Sequence, residues 1–139
     1  MKNNTKYIAP RGIVELFLEE LKKILNSAQF RPKKDLMIVL RKTGEESDDS
    51  YTTINTMLEL NYDTSDVVNR MRELMAGEYL ESLIDDKGER LPPFFVFVKT
   101  INSKKVYIKV KISSIEKRKV LVMSFHFLRY PLNTSLPYA

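Results

Sequence analysis

The most regular pattern in the chain is an alternation of apolar and polar residues near its C-terminal end. Over residues 106–112, in the segment VYIKVKI, branched apolar residues alternate with one tyrosine and two lysines. A period of two is typical of a β-strand with one buried and one polar face. Residues 94–99 (FFVFVK) and 120–127 (VLVMSFHF) are similar, and basic turns separate the three segments. The stretch from Phe94 to Pro131 therefore predicts three β-strands of an antiparallel sheet.

The alternation also predicts which side chains share a face of each strand. In the third strand, Val122, Ser124 and His126 fall on one side. Tyr107 and Lys109 fall on the polar side of the second strand. If the polar sides coincide, one face of the sheet carries Lys99, Tyr107, Lys109 and His126.

A helical period occupies much of the N-terminal half. Residues Gly12 to Asn26 predict an amphipathic helix. Its predicted apolar side consists of Ile13, Phe17, Leu21, Ile24 and Leu25. A second helical region is predicted to start near Tyr51. A third helix is predicted from about Ser65 to Met75, because the capping residue types Asp63, Thr64 and Ser65 precede its apolar positions.

The remaining segments complete an α+β fold. Residues Asp35 to Lys42 (DLMIVLRK) predict a short buried strand, and GEESDDS after it predicts an acidic loop. Residues 76–86 fit either a further helical turn or an ordered loop. We expect a single domain over residues 1–139, with residues 1–10 flexible and the antiparallel sheet packed against N-terminal helices.

Composition excludes several classes of function. The chain has 139 residues, no cysteine and one histidine, so disulfides, thiol nucleophiles and thiolate metal sites are ruled out. Only a carboxylate-rich metal site would remain, and we expect neither a metal nor a cofactor. P-loop, G-x-G-x-x-G, HExxH and G-x-S-x-G motifs are absent. No apolar run approaches the roughly 18 to 20 residues of a membrane span, so we expect a soluble cytoplasmic protein.

Charge is distributed unevenly along the chain. Residues 1–93 contain 14 Lys and Arg against 17 Asp and Glu, whereas residues 94–139 contain 9 against 1. A clustered cationic surface attracts polyanions, and nucleic acid is the first candidate. The alternative is that these lysines only keep β-turns soluble and protect strand edges from pairing.

The polar side of the predicted sheet has the residue types that RNA cleavage without a metal requires. The reaction needs a base for the ribose 2′-hydroxyl, cations for the transition state and an acid for the leaving oxygen. His126 is the best candidate for acid or base because imidazole titrates near neutrality. Tyr107 is a candidate proton donor or phosphate ligand, and Lys109 and Lys99 are candidate cations. Each also has a purely structural interpretation, as a packing residue or as part of a solvated face.

Further candidates for RNA binding are Lys99, Lys111, Arg41, Lys42 and Tyr79. Arg41 and Lys42 end the first predicted strand, and Tyr79 lies in the ambiguous segment. Phe95 and Phe97 either stack on nucleobases or belong to the core.

Several segments also resemble a known family. The dipeptide RK at 41–42, Glu78-Tyr79 ahead of Asp85, and the segments FVFVK, VYIKVKI, VLVMSFH and YPL occur in this order. The combination resembles MqsR-type toxins of type II toxin-antitoxin systems, particularly their Gram-positive relatives. The resemblance covers most of the chain beyond about residue 13, and V-Y-I-K and S-F-H are its most specific parts.

The resemblance implies a RelE-like messenger-RNA interferase that cuts RNA without metal. The tyrosine of the Y-[IL]-K strand and the basic residue ending the S-F-[HK] strand belong to the family's active site; here they are Tyr107 and His126. The implied partners are messenger RNA and a cognate antitoxin with a helix-turn-helix domain. Ribosome dependence stays open.

The chain departs from the family pattern in three places. Glu81 stands where some relatives have lysine, Phe95 replaces a common tryptophan, and Ser82-Leu83 replaces Gly-Pro. These departures support an alternative, a non-catalytic module that binds RNA or a protein through the same fold. A third possibility is a phage or plasmid effector that targets a host protein.

Overall fold

A six-stranded β-sheet forms the centre of the fold in the computed structural model, which describes residues 5–139. The strand order is β1-β3-β4-β5-β6-β2; all neighbours are antiparallel except β2 and β6. The strands are β1 (Lys6–Tyr7), β2 (Leu36–Ile38), β3 (Tyr79–Leu83), β4 (Phe94–Ile101), β5 (Lys104–Ser114) and β6 (Lys119–Phe127). The helices are α1 (Arg11–Leu25), α2 (Pro32–Asp35), α3 (Thr53–Leu60) and α4 (Thr64–Arg72), with a short 3₁₀ turn at Ala76–Glu78. The α+β class predicted from the sequence is confirmed.

The three strands predicted from alternation form the middle of this sheet. A two-residue turn at Asn102 and Ser103 joins β4 to β5, and both residues have positive φ, 51° and 68°. Such turns match the right-handed twist of a hairpin. The turn sets Lys99 opposite Val106, so the hairpin register follows from this dipeptide.

Helix α1 forms where the sequence predicts it, but its buried side is rotated relative to the prediction. Val14 and Leu18 are buried together with Leu21, Ile24 and Leu25, whereas Ile13 is 47% exposed. Phe17 is half-buried and stacks on Phe95 with ring centroids 4.0 Å apart. The assignment of Ile13 to the apolar face was therefore wrong.

The N-terminal strands differ from the prediction. The segment Leu36–Ile38 is not a buried strand but the half-exposed edge of the sheet beside β6. The ambiguous segment after residue 76 contains strand β3. Lys6–Tyr7 pairs with β3 and Ala9 is buried, so this part of the region expected to be flexible is ordered; residues 1–4 lie outside the described residues.

Helix α3 covers the part of the β6 edge that β2 does not reach. The backbone N–H groups of Phe125 and Phe127 donate to the hydroxyls of Thr53 and Thr56, each over 3.1 Å. Buried backbone donors need such partners. These two bonds fix the end of β6 on both sides of His126.

The helices cover one face of the sheet. The main core joins buried residues of α1, α3 and α4 to the side of the sheet that carries Phe97 and Ile108. A smaller cluster of Leu83, Phe94 and Val96 lies apart from it and contains no helical residue. In residues 5–139, no helix has the length and apolar character needed to cross a membrane.

Candidate active site on the outer face of the sheet

The outer face is the side of the sheet opposite the main core. Cross-strand partners point to the same side of an antiparallel sheet. Tyr107 is opposite His126, and Lys109 is opposite Ser124 and Val96. The alternation along β5 and the register of its neighbours thus bring Tyr107, Lys109 and His126 together, as predicted.

Tyr107 and His126 form the centre of this face. Their rings stack with centroids 5.3 Å apart and an interplanar angle of 16°. Both side chains are half-buried. Stacking on the phenol ring limits the rotation of the imidazole, so His126 is held in one orientation.

The hydrogen bond of His126 determines which ring nitrogen is available. Nδ1 lies 2.9 Å from the carbonyl oxygen of Phe127. A carbonyl oxygen can only accept, so Nδ1 carries the proton and Nε2 has a free lone pair in the neutral ring. Burial is the main cause that lowers the pKa of His126, and the charge of Lys42 lowers it further. Neutral His126 is therefore arranged to act as a base through Nε2.

Lys42 enters the site from the segment that follows β2. Its Nζ donates to Ser124 Oγ over 2.6 Å, and Ser124 is 1% exposed. Burial lowers the pKa of Lys42, and burial together with the charge of Lys42 lowers the pKa of Lys109. Because Ser124 is the cross-strand neighbour of Lys109, the Lys42 ammonium lies beside Lys109, and its charge also acts on His126. Two like charges on one face favour an anionic ligand there.

Tyr107 has the opposite perturbation. Burial, with a contribution from the Glu81 carboxylate, raises the pKa of Tyr107 to about 12. The phenol keeps its proton at neutral pH and can serve as a donor. Glu81 itself lies 3.6 Å from the Lys6 ammonium, with its side chain 17% exposed.

Lys111 shares the outer face but is occupied by an internal contact. Its Nζ donates to Asp85 Oδ2 over 2.5 Å, and both side chains are 8% exposed. The Lys109 and Lys111 ammonium groups lie 4.7 and 4.9 Å from the centroid of the Phe94 ring. Lys111 therefore attaches the segment after β3 to the sheet, and its cation is neutralised.

Two predicted site residues lie elsewhere. Lys99 is opposite Val106, on the core side of the sheet, and its ammonium pairs with Glu78 at 3.2 Å. The expected convergence of Lys99 with Tyr107 is wrong because the hairpin register places the two on opposite faces. Tyr79 is fully buried, and its hydroxyl contacts Ser82 Oγ and accepts from the Ala9 N–H, so it is a core residue.

The same registers correct the predicted faces of β6. Lys109 pairs with Ser124, but Val110 pairs with Val122, so a β-bulge at Met123 interrupts the alternation. Val122 therefore belongs to the main core rather than to the side of His126. A bulge of this kind re-aims the side chains beyond it.

Arg41 is the remaining predicted RNA-binding residue, and three residues near the site were not predicted. Arg41 is exposed beside Lys42. Three contacts were not predicted from the sequence: Ser124 with Lys42, Glu45 near His126, and Asp85 with Lys111. Of these three residues, only Ser124 had a signal in the sequence: it lies two residues before His126 and so shares the same face of the strand.

In the described part of the chain, no group of three or more histidine, aspartate or glutamate side chains comes together that could hold a metal ion. The groups that the outer face brings together are an imidazole, a phenol and two ammonium groups. No protein-family model matches the sequence, and a search of curated proteins also finds no match.

Proposed function

We propose that the protein is an endoribonuclease that cleaves RNA through attack by the ribose 2′-hydroxyl, without a metal ion. The observation that carries this proposal is the juxtaposition of a histidine with a free Nε2, a protonated tyrosine and two lysines on the face of the sheet opposite the main core. These are the base, the donor and the cations that the reaction needs.

In the proposed reaction, Nε2 of His126 takes the proton of the 2′-hydroxyl as the 2′-oxygen bonds to the adjacent phosphorus. Lys42 and Lys109 stabilise the charge that develops on the non-bridging oxygens. The bond from phosphorus to the 5′-oxygen breaks, and that oxygen takes the proton of the Tyr107 hydroxyl. The products are a 2′,3′-cyclic phosphate and a free 5′-hydroxyl, and the protons on the enzyme re-equilibrate through water.

The biological role that we propose is that of a toxin in a toxin-antitoxin system. The support is the resemblance to MqsR-type proteins, in which the positions of Tyr107 and His126 belong to the active site. The stacked pair formed by these two residues agrees with that assignment. A cognate antitoxin is the proposed protein partner, and messenger RNA is the proposed substrate.

The direct test is cleavage of a defined single-stranded RNA by the purified protein in EDTA. His126→Ala and Tyr107→Phe are each expected to lower the rate by about 10²-fold or more, since each removes one proton-transfer group. Tyr130→Phe is a matched control because Tyr130 is 74% exposed and has no place in the proposed reaction. Mass spectrometry should detect the 2′,3′-cyclic phosphate, and a 2′-deoxy nucleotide at the cut should block cleavage.

Two outcomes would contradict the proposal in different ways. Undiminished cleavage by both active-site variants would overturn the assignment of the site. Absence of cleavage by the wild type, with or without ribosomes, would favour a module that binds RNA or a protein without catalysis.

A further inference from the structure

The edge of the sheet formed by β2 has unpaired backbone groups. Val39 donates its N–H to the Val122 carbonyl across the parallel pair with β6. Backbone groups alternate in direction along a strand, so those of Ile38 point away from the sheet. Within residues 5–139, the Ile38 N–H and C=O have no hydrogen-bond partner. The Leu36 N–H donates to the Pro32 carbonyl and the Leu40 carbonyl accepts from the Ile54 N–H, so Ile38 is the residue of this edge at which another strand can pair.

A groove lies beside this edge, on the core side of the sheet. It has a volume of about 860 Å³. Its apolar lining consists of Phe30, Pro32, Leu36, Ile38 and Leu40, and Thr64 and Ser65 at the start of α4 also line it. Leu40 is 43% exposed, whereas Leu36 and Ile38 pack against the main core. Alternate side chains of an added strand would point into this groove.

The charged residues that line the groove are all basic. Arg31, Lys33 and Lys34 line it, and all three are exposed. In the described part of the chain, no carboxylate lies within salt-bridge distance of their side chains, and the groove lining includes no acidic residue. The rim therefore fits an acidic partner, and charge complementarity would favour its encounter and register.

We propose that the β2 edge and its groove bind an extended acidic segment of a partner protein, which adds a strand to the sheet. The bound segment alternates apolar residues, which enter the groove, with Asp or Glu residues near the basic rim. Backbone hydrogen bonds to Ile38 supply affinity, and the groove and rim supply specificity. This surface is separate from the outer-face site and does not depend on the proposed cleavage reaction.

The proposal can be tested with a labelled nine-residue peptide in which five glutamates alternate with four valines. Fluorescence anisotropy with the full-length protein should show at least tenfold tighter binding than for the same peptide with lysine in place of glutamate. The double variant Lys33→Glu, Lys34→Glu should reverse that preference. Its RNA cleavage should equal that of the wild type, because neither lysine belongs to the outer-face site.

N-methylated peptides distinguish strand addition from attraction by charge alone. Methylation of alternate residues blocks either the N–H groups that face β2 or those that face away. One of the two methylated peptides should lose binding at least tenfold and the other should bind as the parent does, and the Ile38 amide should become protected from hydrogen exchange. Equal binding of both methylated peptides, an unchanged preference in the charge-reversed variant, or self-association of the protein at this edge in place of peptide binding would overturn the proposal.

Discussion

At the residue scale, the chemistry depends on the protonation of His126. Its Nδ1–H is committed to the Phe127 carbonyl, so loss of the remaining proton frees Nε2 as a base. Burial and the charge of Lys42 favour the neutral ring, since both disfavour a second positive charge at this position. The site is therefore able to act as a base at neutral pH and below.

NMR can follow the titration of His126 without overlap from other imidazole signals, because the chain has one histidine. We expect an NMR midpoint below the ordinary value of 6.5, and a cleavage rate that rises with pH through the same midpoint because the base must be neutral. Lys42→Gln should move both midpoints upward, since it removes a charge that lowers the pKa. Lys105→Gln, a change at an exposed lysine, should leave them unchanged. A rate that does not follow the His126 titration would exclude this residue as the base.

At the scale of elements, the site depends on contacts that fix its strands. Lys111 and Asp85 attach the segment between β3 and β4 to the outer face beside Phe94. Thr53 and Thr56 fix the end of β6 from the side of α3. Both sets of contacts act on residues next to the catalytic candidates.

The first element-scale prediction concerns the buried ion pair. Asp85→Ala leaves the Lys111 ammonium buried without a partner and should lower the free energy of unfolding by about 3 kcal/mol. Urea denaturation measures the change. Glu15→Ala breaks the exposed pair with Arg11 and should cost about 0.5 kcal/mol or less. If Asp85→Ala and Glu15→Ala lower the free energy of unfolding by similar amounts, the Asp85 pair contributes no more than a surface contact.

The second element-scale prediction concerns the end of β6. Thr56→Val keeps the shape of the side chain but leaves the buried Phe127 N–H without an acceptor, at a cost of about 1–3 kcal/mol. Urea denaturation gives the loss, and faster exchange of the Phe127 amide locates it. Thr100→Val, at an exposed position of β4, is the control and should change stability little. An unchanged Phe127 amide would mean that α3 does not hold this strand end.

At the scale of the whole molecule, the lysines near the sheet form two groups, those without a salt bridge and those held in internal ion pairs. Lys109 from the C-terminal half and Lys42 from the N-terminal half lie at the outer face and form no salt bridge among the described residues. Lys99 and Lys111 belong to internal ion pairs with Glu78 and Asp85. The net charge of the C-terminal half therefore overstates the number of cations available to RNA.

The salt dependence of RNA binding separates the two groups. If Lys109 contacts a phosphate, Lys109→Gln should weaken binding to a non-cleavable 2′-deoxy-substituted RNA. It should also reduce the slope of log K against log salt by about 0.7, the value for one single-strand phosphate contact. Lys99→Gln removes the same charge from the opposite face and should leave the slope unchanged. Equal effects of the two variants would indicate a diffuse electrostatic contribution rather than a site on the outer face.

Much of the sheet could be predicted because alternation is a local property. Residues 106–112 predict a strand and its two faces without any knowledge of their neighbours, and β5 has those faces. Tyr107 and His126 were identified as candidates from their residue types and positions, and the structure brings their rings together. A capped helix forms where one is predicted, but α4 runs from Thr64 to Arg72 rather than from about Ser65 to Met75, and its cap is Asp63, whose side chain accepts from the Asp66 N–H.

What the sequence by itself determined about this protein is the set of elements, the faces of each strand and the candidate chemistry. Only the tertiary structure decided which faces coincide, because cross-strand register depends on turns and bulges. The register set by the turn at Asn102 and Ser103 places Lys99 on the core face, opposite the site. The bulge at Met123 places Val122 in the core. The contact of Lys42 with Ser124 joins residues 82 positions apart, and the burial of Tyr79 depends on packing between distant segments. Such long-range contacts leave no local pattern, so they become visible only in the folded chain.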